Sequence, residues 1–187
     1  MVKKLRPKPI KAVPLKLDLG CGQSKREGFT GVDISKVPGV DVVHNLFTFP
    51  WPFKDDTVEE IWCSHFLEHV PNKLRFAFMD ECYRILFAGG KAAFLFPYYS
   101  SMRAIQDPTH EWPPLCEFSF LYFNKQWREQ NKLDHYPVKC DFDYSYNYAI
   151  NPAFVGRSQE FLAGAIPTML NIVTDQSVTM VKRPKVT

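Results

Sequence analysis

The chain has 187 residues, enough for one domain with a sizeable core. Its hydrophobic fraction of 45% and charged fraction of 23% are those of an ordinary soluble globular protein, which excludes a disordered or fibrous chain. The net charge of +3 is too mild to imply nucleic-acid binding by itself, and no stretch is long and apolar enough to span a membrane.

Much of the positive charge sits at the start, where Lys3, Lys4, Arg6, Lys8, Lys11 and Lys16 alternate with Pro and Val. This segment lacks the apolar run of a signal peptide, so residues 1–14 read as a basic flexible N-terminus and the expected location is cytoplasmic. The five cysteines, Cys21, Cys63, Cys82, Cys116 and Cys140, form no C-x-x-C pair. Reduced thiols are expected, with neither a disulfide framework nor a cysteine zinc site.

In chain order, Leu15 to Leu19 is mostly apolar and lies between Pro14 and Gly20, which reads as a buried parallel strand. Thr30 to Ile34 and Val40 to Leu46 read as the second and third strands. Phe47 to Phe53, rich in Pro and aromatics, reads as a loop, and Val58 to His65 as the fourth strand. Pro71 opens a helix in which Leu74, Phe78, Cys82, Ile85 and Leu86 recur at helical spacing, and Gly89-Gly90 stops it. Ala92 to Tyr98 is a fifth, fully apolar strand. A helix is expected around Phe123 to Gln130, and strands at Lys139 to Ala149 and Asn171 to Lys182. This order predicts a single α/β domain with a doubly wound, mostly parallel sheet, Rossmann-like in layout.

The chemistry begins at Leu17-Asp18-Leu19-Gly20-Cys21-Gly22. Two glycines after a strand let the backbone bend sharply and let a ligand approach the main chain. Asp33 ends the next strand, where a carboxylate can accept hydrogen bonds from both ribose hydroxyls. A dinucleotide site would have a third Gly where Lys25 stands, and its acid would follow ~20 residues after the glycines. Asp33 comes too soon to leave room for a helix that would hold a pyrophosphate. A nucleoside ligand without phosphates fits better, and S-adenosylmethionine is such a ligand.

The segments LDLGCG (17–22), GVDI (31–34), the WPF-DD loop (51–56), CSHFLEH (63–69) and ECYRILFAGGKAAFLFPY (81–98) follow one another. Together they resemble the class I S-adenosylmethionine-dependent methyltransferases of the small "type 11" kind, over roughly residues 15 to 99. The resemblance implies a cofactor-binding half at 15–99, an acceptor-site and C-terminal half at 100–187, and a domain spanning 15–187. It implies that Asp18, Gly20 and Gly22 surround the methionine part of the cofactor, and that Asp33, with Ile34 next to it, holds the ribose. Asn45 and Leu46 would lie at the adenine, and His65 would border the transferring methyl group. One departure from the family is the segment Gln23 to Phe29, too short for the usual first helix.

His65-Phe66-Leu67-Glu68-His69 also matches H-x-x-E-H, a zinc signature when it lies on a helix. Trp62, Cys63, Val58 and Ile61 favour a strand ending at His65, from which His65 and His69 do not converge, so no metal is expected. The carboxyl ends of strands in such a sheet carry the ligands. Those ends are His65 and Pro97-Tyr98-Tyr99, with Asp107-Pro108-Thr109-His110-Glu111-Trp112 close after. Methyl transfer rests largely on proximity, and a base is needed only where the acceptor must lose a proton. His110 is the first candidate base and His65 the second. Tyr98, Tyr99, Trp112 and Phe118 are candidate walls of the acceptor site.

The expected function is therefore methyl transfer to a small molecule or an exposed group. The alternative is a catalytically silent protein that binds S-adenosylmethionine or S-adenosylhomocysteine. Action on nucleic acid or protein ranks lower. No D/N-P-P-Y/F motif, no Pro-Cys nucleophile and no basic stripe interleaved with aromatics supports nucleic acid.

Overall fold

The computed structural model describes residues 14–184. The expected N-terminal segment 1–14 lies outside the described residues, except for Pro14. Seven strands form one sheet in the order β3-β2-β1-β4-β5-β7-β6. They are β1 (Leu15–Leu19), β2 (Thr30–Asp33), β3 (Val42–Val43), β4 (Val58–Ser64), β5 (Leu86–Pro97), β6 (Phe142–Ile150) and β7 (Val173–Lys182). The first five run parallel to their neighbours. β7 is antiparallel to both β5 and β6. The chain leaves β1 for β2 on one side and later returns to β4 on the other. This reversal is the switch point of a doubly wound sheet, where a crevice opens at the carboxyl ends of the strands.

Side chains alternate across the sheet. Leu17 and Leu19 of β1, Ile61 and Cys63 of β4, and Ala92, Phe94 and Phe96 of β5 are fully buried in one cluster. α1 (Arg75–Ile85) closes that cluster with Phe78, Met79, Cys82 and Ile85. On the opposite face Glu60 bridges the Lys16 and Lys91 ammonium groups at 3.0 and 3.5 Å. The remaining helices are α2 (Met102–Gln106), α3 (Lys125–Gln130) and α4 (Gln159–Ala165). Among the described residues, none is long and apolar enough to cross a membrane.

Several expected elements change shape. The third strand shrinks from Val40–Leu46 to Val42–Val43. Backbone bonds to β2 persist on either side of it, from Asp41 N–H to Gly31 O and from His44 N–H to Asp33 O, both at 2.9 Å, while the Asp41 carboxylate takes the Gly31 N–H at 2.7 Å and the Asn45 side chain turns the chain by taking the Phe47 N–H at 2.9 Å. The helix ends at Ile85, and Leu86 is already the first residue of β5. Gly89 and Gly90 therefore lie inside the strand. They take up the irregularity between the pairs Val58–Leu86 and Glu60–Lys91. The helix expected around Phe123 to Gln130 is α3 and begins at Lys125, after a 3-10 segment at Glu117–Phe123; the Asn124 side chain caps it by accepting from Trp127 N–H at 2.8 Å. The sixth strand starts three residues later than expected.

Candidate active site at the switch point

Gly20 and Gly22 both have positive φ, +69° and +50°, so the turn after β1 is one that glycine adopts without strain. Between Leu19 and Thr30 the chain makes turns and no helix. Gly22 donates its N–H to Asp33 Oδ2 at 3.0 Å, and Ser35 donates its N–H to Asp33 Oδ1 at 3.0 Å. The carboxylate is thus held at the mouth of the β1–β2 crevice with lone pairs to spare. A Cβ at Gly22 would meet nothing within 4 Å, so open space lies against the main chain there. Ile34 and Val43, at the ends of two neighbouring strands, expose apolar side chains beside it. This gap is rimmed by a carboxylate with lone pairs to spare and by apolar side chains, a lining chemically suited to the nucleoside part of S-adenosylmethionine.

The other expected cofactor residues are placed less directly. Asp18 is buried, and its Oδ2 accepts from Arg26 N–H at 2.7 Å; burial raises its carboxyl above the ordinary value. Arg26 also stacks its guanidinium 4.3 Å from the centre of the Trp62 ring. The segment that replaces the usual first helix therefore folds back on the sheet through Arg26. Leu46 is buried in the core, whereas Asn45 is exposed and caps its own turn.

His65 follows β4 directly, in a left-handed conformation with φ +52°. Its Nδ1 lies 3.3 Å from Glu68 Oε1 and its Nε2 3.9 Å from Asp175 Oδ1. The bond to Glu68 raises the imidazole above its ordinary pKa, although partial burial opposes it. His110 sits opposite, with Nδ1 3.2 Å from the Ala104 carbonyl and Nε2 3.7 Å from Asp107 Oδ2. His65, Glu68, His69, Arg103 and His110 line a cleft of about 540 Å³ at the carboxyl ends of β4 and β5. Both candidate bases thus face one space. His69 lies beside them, its ring edge-to-face on His110 with centroids 4.8 Å apart.

Two tethers assemble this cleft. Glu111 N–H donates to the Glu68 carbonyl at 2.9 Å, and Arg75 donates to the carbonyls of Val70, Glu111 and Pro113 at 3.2, 2.9 and 2.7 Å. Sequence reading missed Arg75, His69 and Glu68 as members of the site. The contacts that unite them cross about forty residues, and no spacing rule encodes them.

Of the candidate acceptor walls, Tyr98, Tyr99 and Phe118 share a second pocket of about 500 Å³ with Tyr148. Trp112 does not line it and is 75% exposed. Behind this pocket Glu117 is buried and accepts from Gln176 Nε2 at 3.0 Å and from Tyr98 Oη at 3.5 Å. Burial and the Glu117 charge push the Tyr98 phenol far above its ordinary pKa, so it stays a neutral donor.

Comparison with known proteins agrees with this layout. Residues 17–94 match the family model of the methyltransferase domain. The whole fold is similar to a SAM-dependent methyltransferase from Archaeoglobus fulgidus, with a TM-score of 0.63 and 18% identity, covering 92% of this chain and 87% of that one. It is also similar to a protein from Galdieria sulphuraria provisionally described as a sarcosine dimethylglycine methyltransferase (TM-score 0.56, 16% identity, 92% and 79% covered). No curated protein sequence matches. The chain has the Rossmann-like fold of these methyltransferases, and its residues 17–94 resemble their methyltransferase domain, whose cofactor is S-adenosylmethionine.

Proposed function

We propose that this chain transfers the methyl group of S-adenosylmethionine to a small molecule or an exposed group carrying a hydroxyl or amine. The observation that carries this reading is the pairing of two spaces at one switch point. The gap at Gly22 and Asp33 suits a nucleoside, and the imidazole-lined cleft at the ends of β4 and β5 lies next to it. Phe66, between His65 and Leu67, packs against Gly20 and so joins the two. Bound there, the sulfonium supplies an electrophilic methyl. The carbon–sulfur bond breaks as the acceptor's lone pair bonds the carbon, and S-adenosylhomocysteine leaves. Asp33 holds the ribose, and Gly20 and Gly22 let the cofactor lie against the backbone. His110 or His65 receives the acceptor's proton where one must be lost.

All five cysteines are free, four of them buried, which supports a reducing, cytoplasmic setting. Calorimetry tests the reading. S-adenosylmethionine and S-adenosylhomocysteine are expected to bind with Kd near ~1 μM, about −8 kcal/mol. An acceptor screen then follows product S-adenosylhomocysteine. Binding without turnover on hydroxyl and amine acceptors would leave the silent-binder alternative, and no heat with either ligand would refute both.

A further inference from the structure

Glu68, His69 and His110 each bring one ligand atom to within 4.8 Å of the others at the edge of the imidazole cleft. The two rings are prepared in the same way. His110 Nδ1 lies 3.2 Å from the Ala104 carbonyl, and His69 Nδ1 lies 3.2 Å from the Thr109 carbonyl. A carbonyl oxygen only accepts, so each Nδ1 carries a proton, and the neutral form of each ring has its lone pair on Nε2. Thr109 Oγ1 confirms this for His69. It also lies 3.2 Å from Nδ1, and its own proton goes to Asp107 Oδ1 at 2.6 Å, so it too can only accept. Imidazoles whose Nδ1–H is fixed on a backbone carbonyl are the usual outer shell of metal-binding histidines.

The third group supplies an independent sign. The Glu68 side chain is only 8% exposed, and its Oε1 faces His65 Nδ1 at 3.3 Å. Its Oε2 is buried with no hydrogen-bond partner among the described residues. A buried carboxylate oxygen without a donor calls for a missing partner. Of the nearby cations, Arg103 is taken by Asp175 at 2.8 Å, and Arg75 by the three carbonyls named above. Asp107 Oδ2, 3.7 Å from His110 Nε2, is beyond hydrogen-bond reach and does not satisfy that lone pair.

We propose that Glu68, His69 and His110 hold a divalent transition cation of the zinc class. Two neutral imidazoles and one carboxylate are a ligand set for zinc, with a fourth position left open, and the same set suits Fe(II) and its neighbours. Bond lengths of roughly 2.0–2.2 Å require the three atoms to draw closer by side-chain rotation. The sequence expectation was no metal, because His65 and His69 leave a strand end without converging. His69 converges with His110 instead, and Glu68 serves as ligand. All three residues line the cleft, so a metal they held would be reached from it. If the methyltransferase reading holds, the metal would take an acceptor oxygen or nitrogen there and leave His65, bonded through Nδ1 to Glu68, as the cleft's imidazole outside the metal.

The test uses the full-length chain without a histidine tag, stripped by chelator and titrated with Zn²⁺ by calorimetry, with metal content read by elemental analysis. About one zinc per chain is expected, and Glu68→Gln, His69→Gln and His110→Ala should each weaken binding by roughly tenfold or more while circular dichroism stays native. No saturable binding, or binding that none of the three substitutions weakens, overturns the proposal. Cobalt substitution covers the case in which the variants fold poorly. The wild-type chain should show visible bands of a four- or five-coordinate nitrogen–oxygen site, and a thiolate charge-transfer band would assign the metal to cysteine and overturn it. S-adenosylhomocysteine titrated into the same samples separates the two readings. Zinc without nucleoside binding keeps the metal site and sinks the methyltransferase.

Discussion

Gly20 and Phe66 are in contact across the switch point: a Cβ at Gly20 would stand 2.2 Å from Cδ2 of the Phe66 ring. Phe66 in turn stacks on Phe47, with centroids 5.8 Å apart, and leans on Phe78. The first glycine of the turn is therefore required by the fold itself. It leaves room for the aromatic side chain that carries the chain from β4 into the His65–His69 loop.

This contact separates the two glycines experimentally. Gly20→Ala combines the strain of a left-handed alanine, about 1–2 kcal/mol, with overpacking against Phe66, typically ~1–3 kcal/mol. Gly22→Ala carries the strain alone, because its Cβ enters open space. Chemical denaturation should show Gly20→Ala less stable by at least the overpacking cost. Gly22→Ala should fold and lose nucleoside affinity. Equal stability of the two variants would remove Phe66 from the argument.

Asp33 holds two backbone N–H groups, from Gly22 and Ser35, and still has lone pairs for a ribose diol. Asp33→Ala should weaken S-adenosylhomocysteine binding by roughly 1.5–3 kcal/mol for each charge-assisted bond lost, with a smaller effect for Asp33→Asn. Calorimetry reads the loss. Because Asp33 ends an otherwise intact strand, the melting temperature should fall little. Unchanged affinity in Asp33→Ala would show that the carboxylate serves only the turn.

A pH effect follows from Glu81. Burial alone would raise its carboxyl, but the Arg84 guanidinium, at 2.7 Å on each oxygen, and the Trp51 N–H at 2.8 Å outweigh burial and hold it below its ordinary value. A carboxylate with a depressed folded-state pKa adds stability that is present above its unfolded value, ~4.3, and is lost as pH falls through the folded value. Arg84 also donates to the Trp51 and Phe53 carbonyls, so the pair fastens the 51–56 loop to α1. Glu81→Gln should be less stable by about 1–3 kcal/mol at pH 7, and the gap to wild type should narrow as the pH falls below ~4. Thermal melts across pH 3–7 read the gap; a constant one would refute the pairing.

What the sequence displayed was whatever a single element decides. Leu15–Leu19 and Ala92–Phe96 were legible because apolar side chains recur at every second position and bury one face of each strand. The turn at Gly20–Gly22 and the acid at Asp33 were legible because backbone geometry restricts those residue types. The third strand misled because Val40–Leu46 has strand composition, while the Asp41 carboxylate takes the Gly31 N–H and the Asn45 side chain starts a turn, so only Val42–Val43 remain as strand. Gly89-Gly90 misled because a bulge and a helix stop both use glycine. The meeting of His69 with His110 was not legible, since it depends on a tether from Glu111 to Glu68 that only tertiary packing creates.

Arg75 is the residue on which that meeting depends most. Its guanidinium donates to carbonyls on both sides of the cleft, Val70 just after His69 and Glu111 just after His110, as well as Pro113. The side chain is buried, and burial lowers its pKa without removing the charge. Planar geometry with several donors suits three carbonyls at once; an ammonium on a flexible stem does not match it. Arg75→Met should leave those carbonyls without their donor and cost about 2–5 kcal/mol, and Arg75→Lys should recover only part of this. If Arg75 also positions the imidazoles, both variants should lose zinc affinity and turnover at temperatures where they remain folded, while S-adenosylhomocysteine affinity stays near wild type. That split is the informative readout, because the nucleoside gap at Gly22 and Asp33 rests on β1 and β2 and not on this clamp. A lowered melting temperature with zinc affinity and turnover intact would reduce Arg75 to a structural tie.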